Sequence, residues 1–294
     1  MSFESVQLVI SKIWALYSTN IPVIVFFAVL FTVLATLEFQ SSTPGKRWWK
    51  NPGLGTDVSY FVVHTAISTY FKLPAVLLIV FLASGTVSPT QIQNYFTGGR
   101  GLFSDLPFWV QVPVFMLLSD FLLYWIHRTF HGSSGLWPFH AIHHSSKELD
   151  WTSSFRFHPV NIMLQQSAVL VLMLFLGIRP EVIVFVAPFD SFLAVWQHSN
   201  SRTTLGPLKY VLATPVFHRW HHTLPEEGGS SNFAPTFAFW DWAFGTFYMP
   251  QGKLPETFGV DDPDLAEGYI NQLVYPIRRW IGVSDQRTTG SPPA

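Results

Sequence analysis

The chain has 294 residues, of which 49% are hydrophobic, 17% aromatic and only 12% charged, a balance poorly suited to a water-facing surface. Its 17 basic and 18 acidic side chains leave no cationic excess to neutralise phosphates, so the composition argues for an apolar or neutral partner and no nucleic acid. The absence of cysteine excludes disulfides, thiolate zinc sites, cysteine-ligated iron–sulfur clusters and a cysteine nucleophile in this chain; any metal must be held by nitrogen or oxygen.

The first residues, MSFESVQLVISK, carry neither a basic stretch nor a small-residue cleavage site, so no removed signal peptide is expected. Residues 1–19 place Glu4 and Lys12 among apolar residues and read as an interfacial helix, or as an extension of the first span over 21–37. A second apolar block, 58–84, is interrupted by Lys72 and Pro74 and fits either one kinked span or two half-helices. A connection over 84–107 leads to a third span, 108–126, which carries Asp120 and runs directly into His127. Residues 160–176 and 181–196, parted only by Gly-Ile-Arg-Pro, predict a helical hairpin, either spanning or re-entrant. Lys46, Arg47 and Lys50 follow the first span while Arg100 alone precedes the third, so the positive-inside rule places the former, and with them the end of the third span, in the cytoplasm. The expected fold is all-α: an integral membrane protein with membrane-spanning helices over 1–126, a cytoplasmic histidine-rich di-metal region over 127–282 that includes the apolar hairpin 160–196, and a disordered tail over 283–294.

Eight of the 11 histidines fall in three clusters: His127 and His131; His140, His143 and His144; His218, His221 and His222. Positions i, i+3 and i+4 share a helix face, so each cluster is expected to aim two or three imidazoles at one spot. Eight imidazoles exceed the four ligands of one tetrahedral zinc and suit two metals of higher coordination number. Imidazole alone does not choose among iron, zinc, copper and nickel.

The segments DFLLYWIHRTFH, WPFHAIHHSS and TPVFHRWHH, joined by SFRFHPVN, WQHSNSRTTLGPL and NFAPTFAFWDWAFGTFYMP, resemble the fatty acid hydroxylase and sterol desaturase superfamily of membrane di-iron enzymes over about residues 120–250. The resemblance implies that the eight clustered histidines are metal ligands, with His198 at the intermediate ligand position. It implies two iron ions, which zinc can replace in a purified preparation, acting with O2 on a sterol, fatty acyl chain or related lipid by hydroxylation or desaturation. His158 matches a further family position, as a ligand or as a donor to one, whereas His64 reads as a structural histidine in an apolar span.

Each ligand imidazole needs its other ring nitrogen held, which singles out Asp120, Asn232 and Asp241 as further catalytic-site candidates, with turn formation or helix-end pairing as the competing reading. Trp151, Phe155 and Trp240 line the lipid cavity or pack as ordinary aromatics. The chain carries no haem-attachment motif, cysteine cluster or dinucleotide fingerprint, so electrons are expected from an external ferredoxin, b-type cytochrome or reductase. The alternatives from other classes are a membrane metal transporter or sensor, and a metal-dependent lipid hydrolase.

Overall fold

A computed structural model describes residues 46–65, 81, 88, 90 and 101–282. The expected interfacial helix, the first span, most of the second apolar block and the tail lie outside the described residues. Within them every regular element is helical and no strand occurs, as the sequence predicts.

A helical segment runs over 54–65. After residue 101 come α1 (Phe108–Gly132), α2 (Trp137–His144), α3 (Pro159–Leu176), α4 (Pro180–His198), α5 (Pro215–His221), α6 (Phe239–Ala243) and α7 (Tyr269–Trp280). Proline opens or nearly opens four of them, because its fixed φ and missing N–H suit the first turn: Pro138, Pro159, Pro180 and Pro215. His158 caps α3 through its Nδ1, which accepts from the Val160 amide, and Thr214 caps α5 by accepting from the Phe217 amide. Gly177, at φ 72°, takes the left-handed conformation that ends α3 and turns the chain into α4.

The expected boundary at residue 126 falls inside α1, which continues without a break through His127 and His131. Its 25 residues extend about 37 Å at the helical rise, so the third apolar run and the first histidine cluster are one rigid rod. Packing then separates two ends. Val112 and Phe115 of α1 join Met173, Leu174, Leu176, Ile178, Val182 and Val186 around the α3–α4 turn. The histidines gather at the opposite end, where α1 finishes, α3 begins and α4 finishes. Helices α1, α3 and α4 are long and apolar enough to cross a membrane. Only 33%, 22% and 22% of their respective apolar stretches is buried in the protein, so lipid is the natural cover for the rest.

Candidate metal centre

Four helices deliver nine histidines to one buried region. α1 supplies His127 and His131 one turn apart, α2 supplies His140, His143 and His144, α4 ends on His198, and α5 supplies His218 and His221 with His222 at its C-cap. They sort into two compartments. In the first, His127, His131, His140, His144 and His221 each bring one ring nitrogen within 4.8 Å of the others; in the second, His143, His198, His218 and His222 do the same.

The sorting departs from the expectation that each cluster aims at one spot. In α2 the i, i+4 pair His140 and His144 faces the first compartment and His143 the second; in α5 the i, i+4 pair His218 and His222 faces the second and His221 the first. The two HxxHH motifs thus bridge both compartments with their roles exchanged. His144 and His222 stack where the compartments meet, with ring centroids 4.4 Å apart.

Ring orientation comes chiefly from backbone carbonyls. Nδ1–H donates to Phe233 O from His127 (2.7 Å), to Arg156 O from His143 (3.1 Å), to Ala194 O from His198 (2.7 Å) and to Ser231 O from His221 (2.6 Å). His140 donates to the side-chain Oδ1 of Asn161 (2.8 Å). A carbonyl oxygen only accepts, so each of these neutral rings holds its proton on Nδ1 and presents a bare Nε2 lone pair. Two such Nε2 atoms then face each other in each compartment, His127 against His140 at 2.9 Å and His143 against His198 at 3.3 Å. No proton lies between them to make a hydrogen bond. The Nε2 of His221, whose proton is likewise spent on Ser231, is buried with no partner among the described residues, as is that of His131.

A second proton on these rings is no remedy. Burial, and then the neighbouring imidazoles, holds the pKa of His140, His143, His144, His218 and His222 well below the usual value, and burial with His127 does the same for His221. Converging neutral donors in a site that rejects protons fit a metal cation, and the all-nitrogen set fits iron, zinc or copper alike. Among the described residues no carboxylate joins either group.

Asp120, Asn232 and Asp241 are all buried near the centre, but their hydrogen bonds go to other groups than the imidazoles. They hold the 231–237 segment. Asp120 accepts from the amides of Thr236 (2.7 Å) and Phe237 (2.9 Å), and Asp241 from those of Phe233 (2.7 Å) and Ala234 (2.8 Å). Burial pushes the Asp241 carboxyl up to about 6, with hydrogen bonds from Thr246, Ala234 and Phe233 pulling it down. Asn232 takes the left-handed conformation at φ 60°, which asparagine tolerates, and its Nδ2 donates to Phe217 O and Tyr248 O. The segment so clamped carries the Ser231 and Phe233 carbonyls that orient His221 and His127. The three residues act on the histidines through backbone.

Behind the four-histidine compartment stands a group the sequence reading passed over. Arg156 is fully buried; its Nε donates to Asp57 Oδ1 (2.6 Å), Nη1 to Glu267 Oε1 (3.0 Å) and Ser145 Oγ (3.1 Å), and Nη2 to Gly53 O (3.1 Å). A Cβ at Gly53 would stand 2.5 Å from Nη2, so any larger residue there would have to displace the guanidinium. Burial opposes this charge, but Asp57 and Glu267 outweigh it and raise the guanidinium pKa. The carbonyl of Arg156 is the one that holds His143. As the one Arg, Lys, Asp or Glu in the segment SFRFHPVN, Arg156 was the available signal.

The other candidates sit outside both compartments. His158 spends Nδ1 on its cap and Nε2 on Leu273 O (3.1 Å). His64 packs on Tyr60, with ring centroids 5.4 Å apart. Trp240 packs on Phe121 and Trp151 on Trp48, while Phe155 packs on Phe61.

Fold and site together define a helical protein with apolar, membrane-length helices and a buried all-histidine centre able to hold metal. The family model "Fatty acid hydroxylase" matches residues 112–246, a stretch that contains all nine histidines. Over that stretch, a little under half of its length, the chain is similar to the fatty acid hydroxylase family. It is 30% identical to ornithine lipid hydroxylase OlsE of Rhizobium tropici over 59% of this chain and 52% of that protein. It is 33% identical to alkylglycerol monooxygenase of Xenopus tropicalis over 55% of this chain and 35% of that protein. It is 26% identical to methylsterol monooxygenase 1-1 of Arabidopsis thaliana over 66% of this chain and 68% of that protein. The match therefore spans about half the length of the first relative and about a third of the second. No solved structure matches the chain.

Proposed function

We propose that this protein is a membrane-bound oxidoreductase that uses O2 and two iron ions to hydroxylate or desaturate a lipid. The observation that carries this reading is the facing of bare Nε2 atoms, His127 against His140 and His143 against His198, once in each compartment. The family match and relatives whose names specify lipid hydroxylation or monooxygenation support the oxidative chemistry.

His127, His131, His140, His144 and His221 would hold one ion, and His143, His198, His218 and His222 the other. A redox-active pair supplies what no side chain of this chain offers, the reduction of dioxygen to an oxidant able to break an unactivated C–H bond; zinc in the same sites would be inert. The residues themselves keep the donors neutral, fix each ring by its Nδ1–H and exclude water from the donor atoms. Electrons would come from an external ferredoxin, b-type cytochrome or reductase. The histidine end would face the cytoplasm, as the charges at Lys46, Arg47 and Lys50 suggest. A single cysteine at exposed Glu226, in a chain with none of its own, should react with impermeant reagents from that face alone.

Lipid mass spectrometry under isotopically labelled dioxygen tests the reaction. A hydroxylase places one labelled oxygen in the product, and a desaturase places none but removes two hydrogens. Product formed by metal-replete protein under nitrogen would replace this reading with a hydrolase, and metal flux into proteoliposomes without lipid turnover would replace it with a transporter.

A further inference from the structure

We propose that α7 is an in-plane membrane helix whose outer apolar stripe rests in the boundary between lipid headgroups and acyl chains. Ile270, Val274, Ile277 and Ile281 recur at i, i+4, i+7 and i+11 and so form one line along the helix. Ile270, Ile277 and Ile281 are 67%, 55% and 67% exposed, and Trp280 beside them is 60% exposed. The opposite face is the one that packs inward: Gln272 and Tyr275 are buried, with Tyr275 in a core with Tyr60, Ala141 and Ile142. Asn271 lies on the flank between the two.

The depth of α7 follows from what it is tied to. Its Leu273 carbonyl accepts from Nε2 of His158, the cap residue at the start of α3. Its Trp280 indole donates to Gly135 O (3.0 Å), three residues past the end of α1, and packs on Phe139. A helix moored at one point to the cap residue that precedes one apolar rod and at another to a residue three past the end of a second lies level with the ends of those rods. The neighbouring 54–65 segment, which packs on α7 through buried Tyr60 against Tyr269, exposes apolar residues of its own at Val58, Phe61 and Val62. An apolar stripe at that level, with exposed apolar residues on the adjoining helical segment, fits a bilayer. Because Gln272 Nε2 donates to Ser145 Oγ at the C-cap of α2, the docked helix would also brace the helix that carries three of the histidines.

The test uses the full chain in nanodiscs of phosphatidylcholine and phosphatidylglycerol. With no native cysteine to remove, Ile277→Cys and Asn271→Cys each take a single nitroxide, and collisional accessibility is read with oxygen and with a water-soluble nickel chelate. The expected result is a label at position 277 that oxygen reaches readily and nickel reaches several-fold less than it reaches position 271. Equal nickel access at the two positions would overturn the proposal in favour of a solvent-facing stripe. A label at 277 shielded from both agents and broadened by spin–spin coupling would overturn it in favour of a second copy seated on α7.

Discussion

The five-histidine and four-histidine compartments draw on the same two helices, α2 and α5, yet they are anchored by unlike means. In the first, His127 and His221 lean on carbonyls of the 231–237 segment, which two buried carboxylates hold by four backbone amides. In the second, His143 leans on the carbonyl of Arg156, and His198 on the carbonyl one turn back in its own helix. The first compartment is therefore tuned from a loop and the second from a buried cation and a helix end. Mutations behind the histidines should separate the two, whereas changes that displace α2 or α5 as a whole should disturb both.

The largest effect is expected at the clustered histidines. Alanine at any one of His140, His143, His144, His218, His221 or His222 should abolish turnover and lower bound metal while the protein still inserts, because an open coordination position is left rather than an unfilled core. Full turnover in two such variants would remove the histidines from the chemistry.

Next in size is Arg156→Gln, which leaves Asp57 buried and unpaired and should cost about 3–5 kcal/mol of stability. Metal should be lost first from the four-histidine compartment, which titration of the purified variant with metal would read as one weakened site beside one unchanged. Equal weakening of both sites would show that the anchors are not separate.

The reciprocal change is Asp241→Asn, which weakens the clamp on Phe233 and Ala234. It should lower metal affinity of the five-histidine compartment by roughly 10–100-fold and spare the other. Asn161→Ala, which takes the acceptor from His140 Nδ1, should fall in the same range on the same compartment. The smallest effect is expected at His64→Ala, outside both groups, where activity and metal content should stay close to those of the parent chain.

Much of this arrangement could be read from residues alone. The 3.6-residue period made the histidine spacing meaningful, proline and Gly177 marked the helix ends, and long apolar runs announced α1, α3 and α4. The division of each HxxHH motif was not readable, since i+3 and i+4 differ by about 100° around the helix and only the packing of α2 against its neighbours decides which way each ring turns. Nor were most of the orienting groups. Four of the five Nδ1 acceptors named above are backbone carbonyls, and a carbonyl leaves no mark in the identity of its residue. Asp120 and Asp241 stood out because an acid among apolar residues is conspicuous, yet their partners are amides of a segment that only folding brings near.

The measurement closest to the central claim is the metal content of the purified chain beside two variants, His221→Ala and His218→Ala, one from each compartment. Two separate compartments predict close to two ions per chain in the parent and close to one in each variant. One ion per chain in the parent, or two retained in both variants, would contradict it.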